Sequence, residues 1–511
     1  MKSKKETQSG KRPLALHPFL FAIYPVLYIY GRNLDETTFV DLLRPAAVVL
    51  VSAGLLLLLA RAAFKDRVKS GILVSLVMIM IFTYGHVLEP LRGAVLMGYI
   101  VGHGSVIGPL WCLLFLILFV CVVRTRANLQ GLNRFAGALG LILVAIAVVQ
   151  IAAYQLRPGS RTGRLWYDRL EQSTTGANAL RPKPGEPLPD IYYIILDEYA
   201  RKDVLADFFS YDNSEFVDYL QSKGFYVADQ STSNYMATYY SLSSSLNFDY
   251  LHELVSPSSV DFRILGRLIN DSKVMHLLKN AGYKFVFFPS GFNITNRNPN
   301  ADTVITRSSL NLSEFDRVLL DSTVFKHANP AYRCYAENIL YTFDQLPKVA
   351  EMKESTFTFA HITMPHTPYL FDAKGRRLGQ SMVGKGSLKR EEYKTLYLGQ
   401  LIYLNKRMHT VIDGIISKSA TPPVIMVQAD HGLKCPVEGL PTQKPRIRAG
   451  ILNAYYLPHG GEKALYATIS PVNSFRIVFN QYFGTDYKML EDITYTVKPA
   501  KKGVRFSRAS R

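Results

Sequence analysis

Apolar residues are spread unevenly along the chain. Before Tyr154 they gather into five long runs with almost no charge inside them, at about Leu14 to Tyr30, Leu42 to Ala60, Gly71 to Val87, Ile107 to Val123 and Phe135 to Tyr154. A helix needs ~20 residues, with a range of ~17–25, to cross a ~30 Å hydrocarbon layer. The pattern therefore predicts a five-span transmembrane domain over 1–156. A buried soluble helix would explain one such run, but not five in succession. The first, with His17, Pro18 and Pro25, is the weakest, and no small-residue cleavage site follows Tyr30 to make it a signal peptide. Ala94 to Val101 is a shorter apolar piece, read as a membrane-surface or re-entrant element. After Pro189 the runs shorten and alternate with polar loops, the texture of an α/β domain with a mostly parallel central sheet, expected over 189–490.

Composition agrees with two unlike halves. The hydrophobic share of 48% with only 19% charge is an average over a membrane part and a globular part, and four Cys in 511 residues exclude a small disulfide scaffold. The net charge of +19 would suit nucleic acid only if it formed a stripe. Instead Lys2, Lys4, Lys5, Lys11 and Arg12 precede the first run, Arg61, Lys65, Arg67 and Lys69 follow the second, and Arg124, Arg126 and Arg134 separate the last two. That is a topology signal, with no nucleic-acid partner implied. It puts these loops inside, the Asp35, Glu36, Asp41 loop outside, and everything after Tyr154 outside. Arg157, Arg161, Arg164 and Arg169 followed by the proline-rich 181–189 read as a juxtamembrane segment and linker over 157–188, either an interfacial helix or a solvated tether. Cys334 and Cys435 lie where a disulfide is permitted, and 491–511 reads as a basic, solvated tail.

Four places in the outer half carry candidate chemistry. The run from Asp190 ends in Asp197, and the run from Pro423 ends in Asp430, His431 and Gly432. Each reads as a buried strand, and acids at strand carboxyl ends face the edge where open α/β sheets bind ligands. Asp197 is a metal ligand or a helix cap on this pattern; Asp430 and His431 offer oxygen and nitrogen donors suited to Zn²⁺ or Mn²⁺. Between them Thr238 stands at the expected N-cap of a short helix, where amides and the helix dipole favour a phosphate or sulfate, or where Thr is an ordinary cap. His366, between two prolines, is placed to bind a phosphoryl oxygen or protonate a leaving group, whereas His361 reads as packed in a strand end.

In this order, Asp197, Thr238, His366-Thr-Pro-Tyr369 and Asp430-His431-Gly resemble the sulfatase-like branch of the alkaline phosphatase superfamily. Spans followed by such a domain are similar to phosphoethanolamine transferases and lipoteichoic acid synthases. The resemblance implies a phospho-threonine on Thr238, one divalent ion held by Asp197, Thr238, Asp430 and His431, and a substrate contact from His366. It further implies a phospholipid donor, an envelope glycan or lipid acceptor, and a place in a bacterial cytoplasmic membrane with the catalytic domain on the periplasmic or extracellular side. The Cys/Ser-x-Pro-x-Arg motif of true sulfatases is missing at Thr238, which favours phosphotransfer. These transferases commonly have Glu where Asp197 stands; Glu198 is adjacent, but should point away if strand alternation persists. His459 is the remaining candidate for a further site histidine, or a turn residue. A sulfatase-like phosphodiester or sulfuric-ester hydrolase, and a non-catalytic envelope-binding membrane protein, are the alternative readings.

Overall fold

The computed structural model describes residues 15–34, 37–91, 95–96, 99–100, 104–156, 180–181, 188–307, 312–379, 389–434, 445–500 and 503–509. The chain forms two units, Met1–Arg157 with Phe315–Asn329, and Pro158–Glu314 with Pro330–Arg511. Most of the linker, Asp35, Glu36 and Cys435 lie outside the described residues. Among the described residues Cys334 has no disulfide partner.

The first unit contains helices α1 (His17–Arg32), α2 (Phe39–Phe64), α3 (Arg67–Leu91), α4 (Gly104–Arg124) and α5 (Gln130–Gln155). Helices α2 to α5 are long and apolar enough to cross a membrane. Helix α1 has 16 residues, roughly 24 Å at ~1.5 Å per residue, which falls about one turn short of the hydrocarbon thickness. The five expected spans are thus four helices of spanning length and a shorter one. Ala22 and Val26 of α1 are fully buried, whereas α4 has no buried residue, as suits a helix solvated by lipid tails. His17, an awkward residue for a lipid-facing run, is buried between helices, with Nδ1 2.6 Å from Ser75 Oγ and Nε2 3.0 Å from Asn133 Oδ1. Lys69 Nζ donates to the carbonyls of Val123 and Thr125, so a cation closes the C-terminal end of α4. Asp41 accepts from the Thr38 amide at 2.9 Å as the return half of a capping box. Val95–Leu96 (β1) and Tyr99–Ile100 (β2) pair antiparallel.

Phe315–Asn329 joins this unit from far along the sequence. Phe315 and Leu319 are buried in its apolar core, Asp316 pairs with Arg44, and Lys326 Nζ lies 2.8 Å from Glu89 Oε2. The Gly85 amide donates to the Ser322 carbonyl at 3.0 Å, and a Cβ on Gly85 would stand 2.5 Å from the Asp321 carbonyl oxygen. Backbone can approach α3 this closely only at glycine. Gly85→Ala should therefore cost about 1–3 kcal/mol by overpacking. Gly131→Ala in α5, where a Cβ meets nothing within 4 Å, should instead be neutral or raise the melting temperature, because alanine is the better helix former. Thermal unfolding of the two variants in detergent checks the opposite signs.

The second unit is built on a seven-stranded sheet of β3 (Ile191–Leu196), β4 (Tyr226–Val227), β5 (Lys284–Phe288), β6 (Thr303–Val304), β7 (Thr356–Ile362), β8 (Val424–Gln428) and β9 (Asn453–Tyr456), in the order β4-β9-β8-β3-β7-β5-β6. β8, β3, β7, β5 and β6 run parallel, and β9 is antiparallel to β8 and β4. Tyr192, Ile194 and Leu196 enter one apolar core while Ile191, Tyr193 and Ile195 enter the other. Burial on both faces is the reason β3 reads as an unbroken apolar run. The C-terminal residues, expected as a solvated tail, instead form a hairpin of β10 (Tyr495–Pro499) and β11 (Val504–Arg508). Tyr495 stacks on Tyr235 with ring centroids 5.9 Å apart, and its amide donates to Asn234 O. Apolar Tyr495, Val497, Val504 and Phe506 alternate within the basic sequence and pack on the core, which the charge count concealed.

Candidate functional site

The carboxyl ends of three adjacent strands, β8, β3 and β7, deliver the expected residues to one place. Asp197 follows β3, Asp430 and His431 follow β8, and Thr238 opens helix α6 (Thr238–Ser245). Ligand atoms of Asp197, Asp430 and His431 all lie within 4.8 Å of one another, and all three residues are buried. His431 Nε2 is 3.7 Å from Asp197 Oδ1, 3.6 Å from Asp430 Oδ2 and 3.4 Å from Thr238 Oγ1.

The local structure aims each group. Asp430 Oδ1 accepts the amides of Glu198 and His431, which leaves Oδ2 without a hydrogen-bond partner. His431 Nδ1 donates to the Gly432 carbonyl at 2.8 Å, so its Nε2 presents a lone pair. Asp197 Oδ1 is likewise buried without a partner. Two orphaned carboxylate oxygens and an imidazole lone pair converging in a buried site are costly as they stand and match the donor set of a divalent cation such as Zn²⁺ or Mn²⁺. Gly432 serves close approach here: a Cβ would run into the Ile447 carbonyl oxygen, and its amide donates to Arg448 O at 2.7 Å.

Thr238 differs from expectation in one respect. The N-cap is Ala237, in extended conformation with φ −157°, and no side chain caps the helix. Thr238 is the first helical residue, and its hydroxyl turns to His431 rather than back onto its own helix. Arg448 Nη2 donates to Met236 O at 2.8 Å and fixes the chain just before it.

His361 also reaches the site, with Nε2 3.4 Å from Asp197 Oδ2 and Nδ1 2.8 Å from Thr295 Oγ1. Strand alternation carries the signal for it: Phe357 and Phe359 share a core with Ile191, Tyr193 and Ile195, and two residues further along each strand stand His361 and Asp197. His366 lies at the open side, its side chain 22% exposed, with Nε2 3.6 Å from Glu198 Oε2. Burial disfavours the charge on Asp197, but the imidazoles of His366, His361 and His431 outweigh it and hold the carboxyl well below the usual range. Burial likewise works against protonation of His366, and the carboxylates of Asp197 and Glu198 overcome it, so the ring keeps its proton to higher pH than an ordinary imidazole.

Glu198 does not continue the strand. β3 ends at Leu196, and Glu198 takes the left-handed region at φ +64°, a strain of order 1–2 kcal/mol for a side-chain-bearing residue. Its carboxylate stays outside the Asp197, Asp430, His431 group and accepts the Lys434 amide and the Tyr393 hydroxyl. His459 is exposed, at φ +60° beyond β9. Because β9 runs antiparallel to β8, that turn sits at the end of the sheet remote from Asp430, and His459 is a turn residue.

No protein-family model matches the sequence, and no curated protein matches it. The structure is similar to the C-terminal periplasmic domain of EcEptC from Escherichia coli, at 14% identity and a TM-score of 0.44, over 64% of this chain and 96% of that one. It is similar to the integral membrane protein lipooligosaccharide phosphoethanolamine transferase A (EptA) from Neisseria meningitidis at 14% identity and TM-score 0.37, over 90% and 93% of the two chains. A putative sulfatase, YidJ from Bacteroides fragilis, matches at 13% identity and TM-score 0.36 over 63% and 83%. Likenesses this distant set neither substrate nor mechanism.

Proposed function

We propose that the chain is a membrane-anchored, metal-dependent phosphotransferase of the sulfatase-like branch, with a catalytic domain over 189–490 on the periplasmic or extracellular side of a bacterial cytoplasmic membrane. The observation that carries the reading is the convergence of Thr238 Oγ1 with the orphaned oxygens of Asp197 and Asp430 and the lone pair of His431. One divalent ion, Zn²⁺ or Mn²⁺ by donor type, would be held by Asp197, Asp430, His431 and Thr238, and supplies Lewis acidity that lowers the hydroxyl's pKa.

The side chains divide the remaining work. Thr238 gives up its hydroxyl proton to solvent, its Oγ1 forms a bond to the phosphorus of a phospholipid head group of the phosphoethanolamine or phosphoglycerol type, and the bond to the diacylglycerol oxygen breaks. His366, at the open side, passes its proton to that oxygen. In the second half an acceptor hydroxyl of an envelope glycan or lipid attacks the phospho-threonine, gives its proton to the neutral His366 imidazole, and Thr238 Oγ1 leaves. The amides opening α6 would balance charge on the phosphoryl oxygens. An anchor in the bilayer keeps such a domain beside a donor that is itself a lipid.

Intact-protein mass spectrometry after incubation with phosphatidylethanolamine or phosphatidylglycerol tests the reading. The expected result is a phosphoethanolamine or phosphoglycerol increment that maps to Thr238. An increment on another residue, or none with either lipid in metal-loaded protein, overturns it.

A further inference from the structure

His366 sits on a loop whose prolines, Pro365 and Pro368, donate no amide hydrogen bonds. The loop is gripped from helix α7 (Arg390–Lys418) by one side chain. Gln400, fully buried, accepts the amides of Leu370 at 2.7 Å and Phe371 at 3.4 Å through Oε1. Its Nε2 donates to the carbonyls of His366 at 2.9 Å, Pro365 at 3.3 Å and Pro368 at 3.4 Å. From the other side the His366 amide donates to Asp197 O at 3.2 Å. Two further residues of α7 act on the partner of the ring. Tyr397 donates its hydroxyl to the Glu198 carbonyl at 2.8 Å, and Tyr393 donates to Glu198 Oε1 at 3.3 Å. Positions 393, 397 and 400 recur at helical spacing, so one face of α7 mounts both Glu198 and the His366 loop.

We infer that Gln400 is a positioning residue that sets the His366 ring against Glu198 and over the Asp197, Asp430, His431 group. The inference rests on the proposed role of His366 for its effect on turnover, but its geometric content does not. Gln400 touches none of the reacting atoms and acts through the loop alone. A polar side chain wholly enclosed with its donors and acceptor spent on one loop is a costly way to fill space, since leucine would pack there without needing partners. A displacement of the order of 1 Å at a catalytic group costs up to roughly 100-fold in rate.

The test uses the full-length, metal-loaded protein in detergent. The rate at which diethyl pyrocarbonate modifies His366 is read by peptide mass spectrometry against His276 of the same molecule, a half-exposed histidine paired with Asp271 in the same unit. Gln400→Leu should change the His366 to His276 ratio by several-fold, and an unchanged ratio overturns the inference. In diacylglycerol release, Gln400→Leu should lower kcat by about 10- to 100-fold with KM little altered, and should cost nothing further in a His366→Ala background. An equal loss in both backgrounds means that Gln400 supports the fold and not His366, and also overturns it. Should the leucine variant fail to fold, Gln400→Glu, which keeps the acceptor for Leu370 and Phe371 but loses the donors, carries the same measurements. Turnover that survives Thr238→Ala would sink the phosphotransfer reading and leave the reactivity ratio untouched, so the two failures separate.

Discussion

Thr238→Ala should lower diacylglycerol release by about 1,000-fold or more, while the metal-free protein unfolds at nearly the same temperature. Three serines of the same helix are committed elsewhere. Ser241 is bonded to Tyr235 O, Ser243 to Tyr239 O and Ser244 to Asp249 O, each at 2.6–2.8 Å, so they are tied into the backbone. Thr238 alone among them turns its oxygen to His431. The alanine loses one 3.4 Å contact and no cap, because the helix has no side-chain cap to lose, and the stability of the metal-free protein should move by no more than about 0.5 kcal/mol. Thr238→Ser keeps the hydroxyl and should retain measurable turnover. Activity in the alanine variant within a few-fold of the parent would remove Thr238 as the nucleophile.

Asp430→Asn should remove the protein's stabilisation by metal. In the parent, Zn²⁺ or Mn²⁺ at 100 times its dissociation constant should stabilise the fold by about 2.7 kcal/mol, a rise of several degrees in melting temperature. In the variant that rise should disappear, because one ligand loses its charge. The metal-free variant should nevertheless melt higher than the metal-free parent. Asp430 Oδ1 accepts two amides, and an asparagine oxygen can accept the same two. The asparagine nitrogen then stands where Oδ2 was left without a partner, in a site whose ligand atoms lie within 4.8 Å of one another, and a neutral amide takes the place of one of two buried acids. Thermal scans with and without added metal decide it: equal metal-induced shifts in parent and variant would show that Asp430 is not a ligand.

The parts of the site that were legible in the sequence are those signalled within one element. Asp197 and Asp430 each end an apolar run, and a strand buried on both faces cannot help announcing where it stops. Long charge-free runs announce helices for the same reason, although at α1 the apolar run begins before the helix, with Ala15 and Leu16 ahead of its first residue His17. What stayed hidden depends on partners far away in the chain. His361 looks like one more interior residue until β7 is known to lie beside β3. Glu198 could not be placed without knowing that the strand ends one residue before Asp197 and the backbone then turns left-handed. Gln400 is an unremarked polar residue in a long helix, and only the course of the 365–371 loop gives it meaning. The hairpin of β10 and β11 was masked by its charge, since Lys498 and Arg505 occupy the face opposite to Tyr495, Val497 and Phe506.

The chain enters the helical unit twice, once at its beginning and again at Phe315–Asn329. A soluble fragment made by cutting in the linker would therefore carry a stretch that belongs elsewhere, with Phe315 and Leu319 stripped of the apolar neighbours that bury them. Such a fragment should self-associate or cling to detergent, and replacing Phe315 and Leu319 by polar residues, or bridging Glu314 to Pro330 with a short glycine-serine turn, should make it monomeric. The boundary for expressing the outer half is not one cut but three.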